Sequence, residues 1–307
     1  MNLYFLGTGA SVPTKQRNMT SIALQLYQER GTFFLIDAGE GTQHQMLHSP
    51  LRLSRLEKIL ITHMHGDHIL GLPGVLGSRA TEGVTKPLTI YGPPGIQSFI
   101  DFFLTIRKSG LTYPLTIVEV QPGVIFEDHK MIITAKQLAH TIPSYGYRFQ
   151  EKDRPGELLQ QKLKDDGIAQ SPLFSRLKAG EDVTLPNGQT LHSETYTGPP
   201  KRGHSVVICG DTSPTPAVIE LAQQADVLVH ESTYAHHEHV KALQRGHSTA
   251  SHAAQTALAA KVKTLIITHI SARYDENASL QLLLEARSLF PHTYLANDHF
   301  SYDIGDE

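Results

Sequence analysis

The run His63-Met64-His65-Gly66-Asp67-His68 places four potential metal ligands within six residues. Neutral imidazole is the commonest metal ligand, and nitrogen with carboxylate oxygen but no thiolate is the donor set of a catalytic rather than a structural zinc site. His63 and His65 are two apart, so in an extended segment both point the same way. Gly66 lets the backbone fold tightly, and Asp67 and His68 after it can face a second ion. Three further residues follow strand-like runs: His140 after Ile132–Leu138, Asp211 after Ser205–Cys209, and His269 after Thr264–Thr268. Open α/β sheets gather their sites at strand ends. Singly, each of the three could be an ordinary cap or turn residue. Together the set numbers seven, the count for two ions with three ligands each and one shared carboxylate, so a dinuclear centre is expected. His236, His237 and His239 lie in a polar segment that no strand delivers, and read as solvated. His44 and His48, four apart on a short predicted helix, have nothing nearby to complete a site.

The elements that must position this set alternate along the chain. Predicted strands are Leu3–Leu6, Ser21–Tyr27, Thr32–Asp37, Leu56–Thr62, Leu88–Tyr91, Ile132–Leu138, Ser205–Cys209, Val227–His230 and Thr264–Thr268. Predicted helices are Pro94–Arg107, Pro216–Gln223, Thr249–Ala260 and Ala278–Leu289; Pro94 suits a first turn, and Ile96, Phe99, Ile100 and Phe103 recur at helical spacing. Ile69–Leu76 could form another. The mixture implies an α/β fold with helices covering sheets. Lys58-Ile59-Leu60-Ile61-Thr62-His63 and Thr264-Leu265-Ile266-Ile267-Thr268-His269 look alike. Either two related half-sheets deliver histidines to a common edge, or two buried strands coincide in pattern. From Glu151 to Gly203 the chain turns polar, with eight Lys/Arg against eight Asp/Glu. This stretch reads as an insertion projecting from the core, with a short helix at Glu157–Lys164 and a hairpin turning at Asn187-Gly188, or else as a plain surface excursion.

Composition bounds the rest. The chain has 307 residues, 40% of them hydrophobic, enough for one large α/β domain or at most two. The opening Met1-Asn2-Leu3-Tyr4-Phe5-Leu6 lacks a basic segment followed by a long apolar one, and no run of about 18 apolar residues occurs, so no membrane span is expected. A lone Cys209 excludes an internal disulfide and points to a reducing cytoplasm. A net charge of −3 argues against a purely electrostatic RNA-binding module but leaves room for a local basic patch.

At His63–His68 the sequence resembles the metallo-β-lactamase superfamily, whose signature is His-x-His-x-Asp-His. Phe5-Leu6-Gly7-Thr8-Gly9, Pro13-Thr14-Lys15-Gln16-Arg17-Asn18, Asp37-Ala38-Gly39-Glu40-Gly41-Thr42-Gln43, Gly210-Asp211-Thr212, His230-Glu231-Ser232-Thr233, His247-Ser248-Thr249 and Thr268-His269-Ile270-Ser271-Ala272-Arg273-Tyr274 narrow the likeness to the short, bacterial-type ribonuclease Z family. The resemblance runs in order through nearly the whole chain. It implies a single domain over 1–307 with a four-layer αβ/βα sandwich, and a flexible arm inserted over 151–203 that grips the tRNA elbow. It also implies cleavage of the 3′ trailer from precursor tRNA by a cytoplasmic homodimer carrying two Zn2+ per subunit. One zinc would be held by His63, His65 and His140 and the other by Asp67, His68 and His269, with Asp211 bridging. Asp67 would also accept the water proton, and His247, supported by Glu231, would donate to the leaving ribose oxygen. Lys15 and Arg17 on the early loop, and Arg273, are candidate contacts to RNA phosphates or the accepting end; a solvated basic loop is the alternative for the first two. Other hydrolases of this fold (a small phosphodiesterase, thioesterase or lactonase) would use the same seven ligands, and a non-catalytic RNA-binding scaffold would have little need for them with His247.

Overall fold

The computed structural model describes residues 1–28, 30–108 and 110–305. The chain forms two compact units, Met1–Gln150 with His204–Glu307, and Glu151–Gly203. In the larger unit two seven-stranded mixed sheets dominate. The first has, in spatial order, Ser301–Asp303, Asn2–Gly7, Ser21–Leu26, Thr32–Ile36, Leu56–Leu60, Leu88–Gly92 and Leu115–Glu119. The second runs Thr293–Leu295, Thr264–Thr268, Val227–Glu231, Ser205–Cys209, Ser144–Glu151, Met131–Leu138 and Gly123–Glu127.

Side-chain alternation turns these sheets into layers. In Thr32–Ile36, Phe34 and Ile36 join Leu3, Phe5 and Leu60 in a cluster shared with Tyr147, Phe149, Val206, Ile208, Val229 and Ile266 of the second sheet. Phe33 and Leu35 point the other way, packing with Leu72, Val75, Leu76, Ile96 and Ile100 of the helices Leu72–Thr81 and Ile96–Arg107. On the opposite outer face, Val207, Leu228, Leu265 and Ile267 pack on Leu221, Ala253, Ala257, Leu282 and Ala286 from Pro216–Leu221, Ala250–Ala260 and Glu276–Leu289. Because central strands are buried on both faces, they read as unbroken apolar runs rather than as alternation. Helix, sheet, sheet, helix is the four-layer sandwich that the resemblance implied. The two look-alike runs fall one in each sheet, Leu56–Leu60 and Thr264–Thr268, both within parallel ladders.

Most strands absent from the sequence reading are short or lie at sheet edges; Ser144–Glu151, eight residues long and central in the second sheet, is the exception. Ser301–Asp303 and Thr293–Leu295 are three residues long. Leu115–Glu119 and Gly123–Glu127 lie at sheet edges and are half-exposed or exposed. Ser144–Glu151 carries Gly146, where an added Cβ would stand 2.9 Å from Leu221 Cδ2. In the smaller unit, a short helix occupies Gln160–Asp165, and Val183–Thr184 pairs antiparallel with Thr190–Leu191 across Gly188 at φ 86°. Leu163, Ile168, Leu177, Val183, Leu191 and Tyr196 give this unit a core of its own. Among the described residues, no helix is long and apolar enough to cross a membrane.

Candidate metal centre

Every residue of the centre follows, or ends, a strand of the larger unit. The strand Leu56–Leu60 leads to His63 and His65, and the one-turn helix Gly66–Ile69 presents Asp67 and His68. His140 follows Met131–Leu138, Asp211 follows Ser205–Cys209, Glu231 closes Val227–Glu231, and His269 follows Thr264–Thr268. A turn from Asp37 locks this loop: Ala38 N donates to His68 O at 2.8 Å, and Gly71 N to Ala38 O at 2.9 Å. Contact is so close that an added Cβ at Gly71 would fall 2.0 Å from Gly39 O.

The seven expected ligands converge. Donor atoms of His63, His65, His140 and Asp211 lie within 4.8 Å of one another, as do those of Asp67, His68 and His269. Asp211 addresses both groups. Its Oδ2 is 3.6 Å from His63 Nε2, while Oδ1 is 3.5 Å from His68 Nε2 and 3.3 Å from His269 Nε2.

These residues fit a metal on three counts. Donors sharing an ion at Zn–N distances of 2.0–2.1 Å stand about 3.3 Å apart along a tetrahedral edge. His140 Nε2 and His65 Nδ1 are 3.2 Å apart, and His68 Nε2 and His269 Nε2 are 3.3 Å apart. Second, hydrogen bonds behind the rings aim lone pairs inward. His140 Nδ1 donates to Gly246 O at 2.7 Å, and His68 Nδ1 to Asp37 Oδ2 at 2.7 Å. Thr62 Oγ1 donates to Asp37, so it accepts from His63 Nδ1 at 3.0 Å. Thr233 Oγ1 donates to Glu231 Oε2, so it accepts from His269 Nδ1 at 2.9 Å. Third, His63 Nε2 is buried without a hydrogen-bond partner, which is costly unless a ligand satisfies it. Burial and neighbouring imidazoles hold His63 well below the usual histidine range. For His68 burial acts in the same sense, but Asp211, Asp37 and Asp67 outweigh it and push the ring up to about 10. That field calls for positive charge in the pocket, from a proton or from a metal.

Beside the centre, Glu231 and His247 form a pair. Glu231 is buried and accepts from His247 Nδ1 at 2.9 Å, Thr212 N at 2.9 Å and Thr233 Oγ1 at 2.6 Å. Burial would raise its carboxyl, yet His247 and Thr233 pull it below the ordinary carboxylate range. Burial would likewise lower His247, but the Glu231 charge raises it to about 9. His247 lines a cavity of about 540 Å³ with Ser11, His65, Asp67, His140 and Asp211.

The expected RNA contacts fare unevenly. Lys15 is exposed. Arg273 is exposed, paired with Glu238, and stands 4.9 Å over the Tyr234 ring. Arg17 departs from expectation: only 7% exposed, it donates from Nη1 to Thr8 Oγ1 and Ala296 O and from Nη2 to Asn297 Oδ1. The loop folds back on the core and finds acceptors there, so the guanidinium is largely taken up by protein oxygens. His236–Glu238 is a short 3-10 turn without a buried residue. Sequence reasoning missed Asp37, Thr62, Thr233 and the Ser11 amide. Only Asp37 carried a signal, a carboxylate ending a strand before a Gly-rich turn.

Two helix-flanked sheets with a His/Asp centre at their strand ends define a metallo-β-lactamase-fold hydrolase. The metallo-β-lactamase fold protein YhfI from Bacillus subtilis shares the architecture at TM-score 0.68 and 18% identity, over 98% of each chain. A family model described as anti-Pycsar protein Apyc1 matches residues 1–100. Ribonuclease Z of Bacillus licheniformis is 48% identical over 304 residues, 99% of both chains. Human tRNase Z, short form, superposes with TM-score 0.72 at 27% identity over the whole of both chains. The chain belongs to the ribonuclease Z family.

Proposed function

We propose that this chain is the endoribonuclease that removes the 3′ trailer from precursor tRNA, leaving a 3′-hydroxyl on the tRNA and a 5′-phosphate on the trailer. The observation that carries the chemistry is Asp211, one carboxylate facing two groups of imidazoles, within 3.8 Å of His247. His63, His65 and His140 would hold one zinc, Asp67, His68 and His269 a second, and Asp211 both. Such a pair, when bound, supplies Lewis acidity to a phosphodiester and makes a water acidic enough to ionise near neutral pH.

The chain's own groups supply the proton transfers. Asp67, fixed by the Ser11 amide at 2.8 Å, is the acceptor for the water proton. The leaving ribose 3′ oxygen is a poor anion and needs a proton as the P–O bond breaks. His247 donates it from Nε2, because Nδ1 is held by Glu231, whose charge favours the protonated ring. Lys15 and Arg273 contact the RNA backbone, the latter after parting from Glu238. The segment Glu151–Gly203 binds the tRNA body, and the enzyme works as a cytoplasmic homodimer. The buried single Cys209 suits a reducing compartment.

The test is to incubate zinc-loaded protein with a 3′-extended tRNA transcript and map the ends at nucleotide resolution. One cut at the trailer junction with the stated termini is expected. An intact transcript, or cuts scattered through the tRNA body, would overturn the reading.

A further inference from the structure

The loop between Gly9 and Asn18 is tied down at both ends and touches the catalytic centre in its middle. At its first end Gly9–Ala10 pairs in parallel with Ile270–Ser271, directly after His269. At its far end Arg17 makes bonds of 2.6 Å to Thr8 Oγ1, 2.7 Å to Ala296 O and 2.7 Å to Asn297 Oδ1. Asn18 N adds a 2.7 Å bond to Asp298 Oδ2, and Thr8 Oγ1 a 2.8 Å bond to Asp298 Oδ1. Between these anchors Ser11 sits at φ 62°, a left-handed conformation uncommon for a residue with a side chain, and its N–H donates to Asp67 Oδ2 at 2.8 Å.

We propose that Arg17 is a positioning residue that braces this loop so that the Ser11 amide fixes the Asp67 carboxylate, and that it makes no contact with RNA. A left-handed residue persists only where its surroundings impose it. The Arg17 bonds supply that constraint, because they join the loop to Ala296–Asp298 of the core. Asp67 Oδ2 is also 3.6 Å from His68 Nε2 and 3.5 Å from His269 Nε2, so the Ser11 amide sets how the carboxylate is turned among these groups, and its loss shifts Asp67 from its reacting position. The loop thereby acts on hydrolysis of any phosphodiester, not only on recognition of tRNA. This inference rests on the proposed hydrolytic role of Asp67.

The test uses full-length zinc-loaded Arg17→Met, Arg17→Lys and Asn297→Ala proteins. Two quantities are read: kcat and KM for bis(p-nitrophenyl) phosphate, a diester without any tRNA body, and hydrogen exchange of the Ser11 amide by NMR. Arg17→Met is expected to lower kcat about 10- to 100-fold with KM little changed, and to speed Ser11 exchange about 10-fold. Arg17→Lys should recover part of both, and Asn297→Ala, which removes one bond, should shift both less in the same direction. Should Arg17→Met fail to fold, the other two variants carry the comparison. Unchanged small-diester kcat and unchanged Ser11 exchange, with a raised KM for precursor tRNA alone, would overturn the brace and restore Arg17 as an RNA contact. If the wild type hydrolyses neither substrate, the hydrolytic reading fails, whereas Ser11 exchange still decides whether Arg17 braces the loop.

Discussion

An imidazole that binds a metal through one nitrogen is steered by whatever holds the other, and here Asp37, Thr62, Thr233 and Gly246 O hold four of them. Asp37 matters most, since it accepts from His68 Nδ1, Thr62 N and Thr62 Oγ1 together. Asp37→Asn is expected to weaken metal binding about 10- to 100-fold by chelator competition, the usual effect of losing such a partner. Affinity equal to wild type would remove Asp37 from the centre's design. His247 is tested through the leaving group. His247→Ala should cut precursor-tRNA cleavage about 10²- to 10⁴-fold, with a much smaller loss on bis(p-nitrophenyl) phosphate, whose nitrophenolate departs without a proton. Equal losses on both substrates would assign His247 another task. The candidate ligands were legible because histidine and aspartate ending apolar runs are rare enough to count. The residues behind them were not, because Thr62 and Thr233 are common types whose roles exist only once two strands lie side by side.

At the scale of elements, what the sequence disclosed follows from burial. Strands such as Ser205–Cys209 and Thr264–Thr268 are buried at every position, and their bounds match the reading from apolar runs. Ser301–Asp303 presents a polar, partly exposed face and leaves no such trace; it forms because Asn2 and Tyr4 offer an unpaired edge. The likeness of Lys58–His63 to Thr264–His269 is likewise an element-scale fact, one strand per sheet delivering a histidine to the same centre. Between the strands, the turn at Asp37 and the helix Leu72–Thr81 meet backbone to backbone. Gly71→Ala would drive a Cβ to 2.0 Å from Gly39 O, and overpacking of this kind costs about 1–3 kcal/mol. The movement must pass to Ala38 and His68, which are bonded across this contact. A lowered melting temperature together with weaker metal binding is therefore expected, and a lowered melting temperature with wild-type metal affinity would show the turn to be scaffold alone.

At the scale of the molecule, charge balance hid the tRNA-binding role proposed for Glu151–Gly203, since equal numbers of Lys/Arg and Asp/Glu announce no polyanion. Its separateness can still be tested cleanly, because the ladder of the larger unit brings its ends together. Gln150 stands opposite Ser205 in the antiparallel pair of Ser144–Glu151 with Ser205–Cys209. A short Gly/Asn turn can therefore join Gln150 to His204 in place of the whole segment, as in an ordinary hairpin. All seven candidate ligands, His247 and Glu231 lie in the unit that remains. The shortened chain is expected to bind two zinc ions and to hydrolyse bis(p-nitrophenyl) phosphate at a kcat close to the full-length value. Its KM for a 3′-extended tRNA should rise beyond measurable saturation. Comparable loss of both activities, with metal content intact, would mean that Glu151–Gly203 serves the reaction itself rather than the capture of tRNA.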